Sequence, residues 1–232
     1  MFTKTAKFYD TLYHFLDYET ASQKIYNIIK SENSKAQSLL DVGCGTGKHL
    51  EFLKKDFLVE GLDLNQELLE IAKTRLPEVN FHLDNMIDFN LATSFDVVSC
   101  LFSSIAYVRS LSNMRKSISR MASHLNPNGI LIVEPWISPE QYWLGKLIAN
   151  HIDQPDLKIS WMYIQEVDGN VSVFNINYLV GTPEGVSYFT EKHEMGMFTQ
   201  GEYFQAFLDA GLDVEYDQIG LFKRGLFIGK KH

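Results

Sequence analysis

Residues 41–47 constrain this chain most, because they read Asp-Val-Gly-Cys-Gly-Thr-Gly and place glycine at every second position. An apolar run, 38–40, precedes them, and a stretch able to form a helix, 48–55, follows. Glycine has no Cβ, so the backbone can turn tightly and approach a ligand closely. The first N–H groups of a following helix lack internal partners and can bind polar groups. The segment therefore predicts a strand, a glycine turn and a helix start at a ligand site.

A second strand, 58–62, leads directly into an acid, Asp63. In βαβ nucleotide sites, an acid about 20 residues beyond the glycines bonds the ribose hydroxyls. Asp63 lies 16 residues after Gly47, which is close to that spacing. The dinucleotide fingerprint requires a third glycine where this chain has Lys48. A nicotinamide cofactor is therefore the less favoured alternative.

The pattern of Asp41, Gly43, Gly45 and Gly47 resembles motif I of the class I S-adenosylmethionine (SAM) methyltransferases. The resemblance implies that the glycine loop lies under the methionine part of SAM and that Asp63 holds the ribose. SAM is therefore the expected cofactor.

The same resemblance implies an acidic or amide group at the adenine amino group, just after the third strand. Asn85 and Met86 fit this position, with Asp84 and Asp88 as competing registers. Phe102, after the fourth strand, is expected beside the cofactor or in the core. The expected SAM-binding residues are Asp41, Gly43, Cys44, Gly45, Asp63, Leu64, Asn85, Met86 and Phe102.

Composition favours one soluble domain, since 232 residues with 45% hydrophobic and 22% charged side chains can bury a sizeable core. The net charge of −8 disfavours nucleic-acid partners, which need a basic face. No apolar stretch approaches the ~20 residues of a membrane span. Two cysteines, Cys44 and Cys100, are too few for a disulfide framework, and no His/Cys pair has metal-site spacing. We expect a cytoplasmic protein with no metal, membrane or nucleic-acid partner.

Strands and helices alternate from residue 38 onward, which predicts a parallel sheet with helical crossovers. The expected fold class is α/β, a Rossmann-like, doubly wound, seven-stranded and mostly parallel sheet whose last strand is antiparallel. The expected strands are 38–42, 58–62, 79–83, 95–101, 129–134, 214–219 and 225–230. The expected helices are 18–31, 48–55, 66–75, 112–125 and 199–210.

The pattern changes after Glu134. A helix is expected over 139–149, followed by three alternating segments at 159–167, 170–180 and 185–197 with tight turns between them. These segments predict a three-stranded antiparallel meander, inserted between strand five and the last helix. The expected organisation is a single domain over 1–232, with an N-terminal lid and helix at 1–35 and the antiparallel β insertion at 155–197.

Methyl transfer from SAM is an in-line displacement, so the main tasks of such an enzyme are alignment and exclusion of water. An amine acceptor must also be neutral when it attacks, and a nearby His, carboxylate or Tyr could help. Tyr9 in the lid and His193 in the insertion are the expected catalytic residues. Glu191 lies on the same strand face as His193. Ring packing for Tyr9 and a surface-strand histidine for His193 are the structural alternatives.

Stretches outside the glycine loop resemble one subgroup, the TDP-3-amino-sugar N,N-dimethyltransferases of macrolide pathways. They are Phe8-Tyr9-Asp10-x-x-Tyr13, Glu134-Pro135-Trp136, Asn177-Tyr178-Leu179-Val180, the run 185–194 and the positions from Phe198 to Tyr216. The resemblance implies two successive methylations of a small-molecule sugar amine in a homodimer. It places Tyr9 over SAM and the sugar, Trp136 in the wall of the acceptor pocket and His193 near the sugar. The expected acceptor-binding residues are Tyr13, Trp136 and Glu191.

The chain departs from this subgroup in its cations. The subgroup has basic residues shortly after the lid tyrosine and an arginine near the first insertion strand, and this chain has neither. Lys158, Lys192 and Arg224 are the candidates to replace them at a diphosphate. Two alternatives stay open: SAM-dependent methylation of another small amine, hydroxyl or carboxyl compound, and a SAM-binding protein without catalysis.

Overall fold

The computed structural model describes residue 2 and residues 4–232. Its helices are α1 (Tyr9–Leu12), α2 (Tyr18–Glu32), α3 (Lys48–Leu53), α4 (Gln66–Arg75), α5 (Leu111–Ser123) and α6 (Gln200–Asp209). Its strands are β1 (Ser38–Val42), β2 (Leu58–Asp63), β3 (Asn80–Leu83), β4 (Phe95–Cys100), β5 (Leu125–Val133), β6 (Leu147–Gln154), β7 (Leu157–Asp168), β8 (Val171–Thr182), β9 (Gly185–Gly196), β10 (Leu212–Asp217) and β11 (Leu226–Lys231).

Seven strands form one sheet in the spatial order β10-β11-β5-β4-β1-β2-β3. Strands β1 to β5 pair in parallel with one another, whereas β11 runs antiparallel to both β5 and β10. The expected doubly wound sheet with an antiparallel last strand is confirmed. Strand order reverses between β1 and β4, and ligands of open α/β sheets bind outside the carboxyl ends of the strands at such a point.

The sheet is covered by helices on both faces. Successive residues of β5 show this, since Leu131 packs into a cluster with α5 and α6 while Ile130 packs into a second cluster with α2, α3 and α4. Both side chains are fully buried. A strand buried on both faces reads as a continuous apolar run, which explains why the sequence pattern identified these strands.

The insertion differs from its expected form. The helix expected over 139–149 is wrong, because only Pro139–Gln141 makes a single 3₁₀ turn and β6 (Leu147–Gln154) follows. Apolar residues at 143, 144, 147 and 148 imitate helical spacing, but Gly145 takes a φ of +76° and turns the chain. Strand β6 then pairs antiparallel with β7 from Leu147 to Gln154. The insertion is therefore a four-stranded antiparallel sheet, in the order β6-β7-β8-β9, rather than a three-stranded meander.

The four-stranded sheet has one packed face and one exposed face. Ile159, Phe174, Ile176 and Tyr178 are buried against the lid segment and Trp136. The opposite face carries exposed apolar side chains, among them Leu147, Met162, Ile164, Leu179 and Tyr188. The buried face contributes to the cavity described below.

Within the described part of the chain, we find no helix that combines the length and the apolar character required to cross a bilayer.

Candidate active site

The glycine loop follows β1 with three left-handed glycines. The φ angles of Gly43, Gly45 and Gly47 are +76°, +54° and +75°, a region that residues with a Cβ seldom adopt. A Cβ on Gly43 would stand 2.6 Å from the Cβ of Ser104. A Cβ on Gly45 would have the hydroxyl of Tyr9, 4.0 Å away, as its nearest neighbour. The loop backbone is therefore closely packed at Gly43 and faces the hydroxyl of Tyr9 at Gly45.

Asp63, at the end of β2, joins the second strand to this loop. Its Oδ2 accepts a hydrogen bond of 2.8 Å from the backbone N–H of Gly45. Its Oδ1 accepts one of 2.8 Å from the N–H of Asn65, the residue that caps α4. Burial raises the pKa of Asp63, while these N–H donors oppose the rise. The carboxylate is thus fixed beside the loop, at the margin of a cavity.

That cavity has a volume of about 400 Å³ and extends from the glycine loop to the inner face of the insertion. Seven of the nine expected cofactor residues line it: Gly43, Gly45, Asp63, Leu64, Asn85, Met86 and Phe102. Asp41 and Cys44 lie instead at a smaller hollow of about 30 Å³, which Gly43 and Gly45 also border.

Asp41 is a buried acid behind the loop, 2% exposed. Its Oδ1 accepts a 2.7 Å hydrogen bond from the hydroxyl of Ser99 on β4. Burial raises the pKa of Asp41 to about 7, against the lowering effect of the Ser99 bond. Near neutral pH its charge state therefore responds to small changes in its surroundings.

Aromatic side chains form the insertion half of the cavity. The rings of Trp161 and Tyr163 are stacked, 6.0 Å apart with an interplanar angle of 3°. Trp136, which follows β5, donates its indole N–H to the hydroxyl of Ser172 at 3.0 Å. Phe174 and the expected acceptor residue Trp136 meet edge to face at 5.9 Å. Flat apolar walls with a few polar groups are the usual lining of a small-molecule site.

The lid segment closes another side of the cavity with tyrosines. Tyr9 and Tyr13 lie 4.8 Å apart, and Tyr13 meets Phe102 edge to face at 5.2 Å. Burial raises the pKa of both phenols above the usual value, so both are neutral at physiological pH. Tyr9 packs in an aromatic cluster, as its structural alternative predicts, and it also lines the cavity.

His193 lies inside the protein, on β9. It is 3% exposed, so the alternative of a surface-strand histidine is wrong. Its Nδ1 is 3.0 Å from the hydroxyl of Tyr107, and its Nε2 has no partner among the described residues. Burial lowers the pKa of His193 to about 4, with the charge of Glu191 opposing the shift. At neutral pH the imidazole is uncharged and lines the cavity.

Glu191 lies two residues earlier on the same buried face of β9 but does not line the cavity. Its carboxylate accepts hydrogen bonds from the Thr5 hydroxyl and, at 3.0 Å, from the backbone N–H of Lys4. It therefore contacts the N-terminal segment where an acceptor contact was expected.

Arg224, from the loop between β10 and β11, is a cation that lines the cavity beside Phe102 and Trp136. Its guanidinium lies 5.0 Å from the ring centroid of Phe102 and 5.1 Å from that of Trp136, and Nη1 donates to Ser103 at 3.2 Å. Of the other candidate cations, Lys158 pairs with Asp153, while Lys192 pairs with Glu194 at 2.7 Å. Only Arg224 of these three candidates lines the cavity.

Several cavity residues were not identified from the sequence, notably Tyr107, Arg109, Trp161, Tyr163 and Phe174. Tyr107 follows the expected strand end by several residues, and the insertion aromatics alternate along predicted strands. The alternation predicted that the insertion aromatics share one face of the sheet. The sequence did not show which face of that sheet packs against the rest of the protein. Among residues 2 and 4–232, no group of three or more His, Cys, Asp and Glu side chains is placed to hold a metal ion.

Comparison with known proteins defines the class. A family described as a methyltransferase domain matches residues 39–129, which include the glycine loop and Asp63. A relative from Streptomyces venezuelae, a dTDP-3-amino-3,4,6-trideoxy-alpha-D-glucopyranose N,N-dimethyltransferase, is 36% identical over 92% of this chain and 91% of its own. A Saccharopolyspora spinosa dTDP-4-amino-2,3,4,6-tetradeoxy-D-glucose N,N-dimethyltransferase is 36% identical over 92% of this chain and 86% of its own.

Solved structures agree with these relatives. DesVI of Streptomyces venezuelae superposes with a TM-score of 0.93 at 35% identity, covering 98% of both chains. A SAM-bound amino pentose methyltransferase from Micromonospora echinaspora has a TM-score of 0.89 at 32% identity, covering 97% of this chain and 96% of its own.

The chain belongs to the SAM-dependent methyltransferases, in the subgroup that contains the dTDP-amino-sugar N,N-dimethyltransferases. It is an enzyme, SAM is its cofactor, and a small molecule is its acceptor. The alternatives of a nicotinamide cofactor and of a SAM-binding protein without catalysis are therefore set aside.

Proposed function

We propose that this enzyme methylates the amine of a nucleotide-linked amino sugar, the acceptor class that the names of its relatives give for them. The observation that carries the proposal is Arg224, a guanidinium between the rings of Phe102 and Trp136 at the aromatic half of the cavity. A diphosphate requires a cation of this kind, and a sugar and a base require flat apolar walls.

The cofactor half fits SAM on two observations. Gly43 and Gly45 have no side chain, so the backbone of the loop is accessible to a ligand. The carboxylate of Asp63 is held in place by the N–H of Gly45 and is suited to bind the two hydroxyls of a ribose. We assign Asn85 and Met86 to the adenine and Leu64 and Phe102 to its surroundings, since all four line the same cavity. Asp41 and Cys44 would support the loop from behind. The bound cofactor supplies an electrophilic methyl group on a sulfonium centre.

The residues of the acceptor half would orient the amine and manage its proton. The acceptor nitrogen must lose its extra proton before it can attack. Neutral His193 can accept a hydrogen bond or proton, and neutral Tyr9 and Tyr107 can hold the amine by hydrogen bonds. The low pKa of His193 makes the imidazole a weak base, so its role in this proposal is to orient a neutral amine. Trp136 and Tyr13 would form walls around the sugar and exclude water.

Nucleotide binding tests the acceptor proposal. We expect calorimetry to detect binding of TDP to the SAM-loaded enzyme, with weaker binding of thymidine, which lacks the diphosphate. Arg224→Gln should lower TDP affinity about tenfold or more, because a partly buried charge-assisted contact is lost, and Arg224→Lys should recover part of it. Lys192→Gln, which removes an exposed cation outside the cavity, is the matched control and should leave TDP affinity unchanged.

Absence of binding by any nucleotide, together with normal SAM binding, would favour the second candidate, methylation of another small amine, hydroxyl or carboxyl compound. Mass spectrometry of products from a panel of TDP-amino sugars and free amines then identifies the acceptor and counts the methyl groups.

We also propose a cytoplasmic homodimer that works as a single methyltransferase domain per chain. The exposed face of the four-stranded sheet supports the dimer, since Leu147 lies opposite Ile164 and Leu179 opposite Tyr188. Adjacent exposed apolar side chains of this kind are typical of contact surfaces. Light scattering should give twice the chain mass, and Leu179→Lys should give the chain mass. Leu58→Lys, an exposed position on the other sheet, is the control.

A further inference from the structure

The N-terminal segment crosses from the insertion sheet to the glycine loop and is held at both ends. Phe2, Tyr9, Leu12, Tyr13 and Phe15 of this segment line the cavity, so it forms one wall of the site. At its start, the Glu191 carboxylate accepts from Thr5 and from the backbone N–H of Lys4.

The other end is fastened to the glycine loop by three side chains. Asp10, directly after Tyr9, accepts a 2.7 Å hydrogen bond from the hydroxyl of Thr46 in the loop. Arg75, at the end of α4, donates to the Asp10 carboxylate and also to the backbone carbonyl of Thr46. Thr46 is 2% exposed, whereas the side chains of Arg75 and Asp10 are 17% and 30% exposed. We call these three residues the loop clasp.

The loop clasp determines where Tyr9 stands. Tyr9 precedes Asp10 on α1, and its hydroxyl is 4.0 Å from the position that a Cβ on Gly45 would take. The space between the Tyr9 side chain and the loop is too narrow for a cofactor to pass. An inserted carbon atom would need about 4 Å to the ring and about 4 Å to the loop. Exchange of the cofactor through this side of the cavity therefore requires the segment to move away from the loop.

We propose that Asp10, Arg75 and Thr46 are positioning residues that hold Tyr9 over the glycine loop and set the rate at which the cofactor exchanges. The proposal rests on the SAM-dependent activity but not on the identity of the acceptor. Each exchange requires the Asp10 contacts to break and re-form, while Glu191 keeps the far end of the segment attached to the insertion. Such a hinged wall lets the cofactor leave without release of the whole segment.

The test uses the 232-residue chain and SAM alone. Asp10→Asn keeps the shape of the side chain but removes its charge. We expect stopped-flow dissociation of SAM to become about tenfold faster, the scale for losing one charge-assisted contact in a partly exposed pair. Amide hydrogen exchange in residues 4–16 should rise, with exchange in β1 and β4 unchanged. Arg75→Lys keeps a cation, so its rate of SAM dissociation should lie between the rates of the unchanged protein and of Asp10→Asn.

Glu78→Gln is the matched control, because it replaces an acid by its amide in the Lys54–Glu78 ion pair away from the cavity. Dissociation of SAM from Asp10→Asn at the rate of this control would overturn the proposal. A general rise in exchange across the sheet would overturn it as well, since the contacts would then support the fold rather than the lid. Thr46→Val removes the hydroxyl that donates to Asp10, and it should therefore also make dissociation of SAM faster. These readouts involve no acceptor, so their failure is distinct from failure of the amino-sugar proposal.

Discussion

The two sheets of this enzyme meet its cavity in different ways. The seven-stranded sheet presents strand ends, so its half of the cavity consists of a backbone loop, Asp63 and the turn at Asn85 and Met86. The four-stranded sheet presents a face, so its half consists of alternate side chains such as Trp161, Tyr163 and Phe174. The shape of the cofactor half of the cavity therefore depends on the path of the backbone, and the shape of the insertion half depends on which side chains are present. Cofactor binding should therefore fail when the path is disturbed, and acceptor choice should change with single side chains.

The largest effect is expected from Gly43→Ala. The new Cβ would lie 2.6 Å from the Ser104 Cβ, at a φ of +76°. We expect a loss of about 3 kcal/mol in the free energy of unfolding and at least a tenfold loss in SAM affinity. Chemical denaturation and calorimetry measure both. Gly201→Ala, on α6 with open space around it, should change stability by no more than about 1 kcal/mol, in the stabilising direction. Equal behaviour of the two variants would contradict the argument from backbone path.

Asp41→Asn should have the next largest effect, and it depends on pH. The folded-state pKa of Asp41 is raised to about 7, so the folded protein binds the proton more tightly than the unfolded chain. Stability from this group therefore falls as pH rises from about 4 to about 7. Asp41→Asn should remove this fall and gain on the order of 2 kcal/mol above pH 7, with no gain below pH 4.

Urea denaturation across that pH range measures the gain. His193, in the insertion, should affect the pH dependence of stability in the opposite direction. Its pKa is lowered to about 4, so its contribution to stability rises with pH between about 4 and 6.5. A gain from Asp41→Asn that was equal at every pH would show that Asp41 is not protonated in the folded protein near neutrality.

Trp161→Ala tests the side-chain half. Removing one ring of the stacked pair with Tyr163 should weaken TDP binding about tenfold, or about 1.4 kcal/mol, because an apolar wall of the proposed acceptor site is lost. SAM affinity should stay within about twofold of the original. Parallel calorimetric titrations with TDP and SAM separate these outcomes, and a joint loss of both would mean that the two halves are not independent.

The smallest effect is expected from Lys158→Gln. Lys158 pairs with Asp153 on the exposed edge of the insertion, and both side chains are more than half exposed. Exposed pairs contribute little, so stability should change by less than about 0.5 kcal/mol, and TDP affinity should be unchanged. Thermal unfolding and calorimetry suffice. A clear loss of TDP affinity would place the proposed diphosphate contact at the insertion edge rather than at Arg224.

The same contrast explains what the sequence could predict. The loop at 41–47 and Asp63 form a local pattern, and parallel strands bring their carboxyl ends together. Seven of the nine residues expected to bind the cofactor accordingly line the cavity. The insertion offered no such rule. Its first strand was mistaken for a helix because apolar spacing near Trp143 and Leu147 resembles a helical turn. Residues 147–154 form a strand because they pair with β7, and the local sequence of this segment does not show that pairing.

Individual side chains in the insertion show a second limit. Glu191 and His193 were correctly placed on one face of β9, but the face did not reveal which of them would reach the cavity. Glu191 bonds the N-terminal segment, which is far from it in sequence. Likewise Arg224 was one of three candidate cations, and only the packing of its loop against Phe102 and Trp136 distinguishes it. Long-range partners of this kind require the folded structure.

One residue of the glycine loop carries a chemical consequence of its own. Cys44 is a potential nucleophile in a loop that receives an alkylating agent, since the sulfonium methyl of SAM reacts with thiolates. Burial raises the pKa of the Cys44 thiol well above its usual range, with Asp63 and Asp41 contributing in the same direction. The thiol therefore stays protonated and unreactive at physiological pH. Burial of Cys44, with the two neighbouring acids adding to its effect, thus disfavours methylation of the enzyme by its own cofactor.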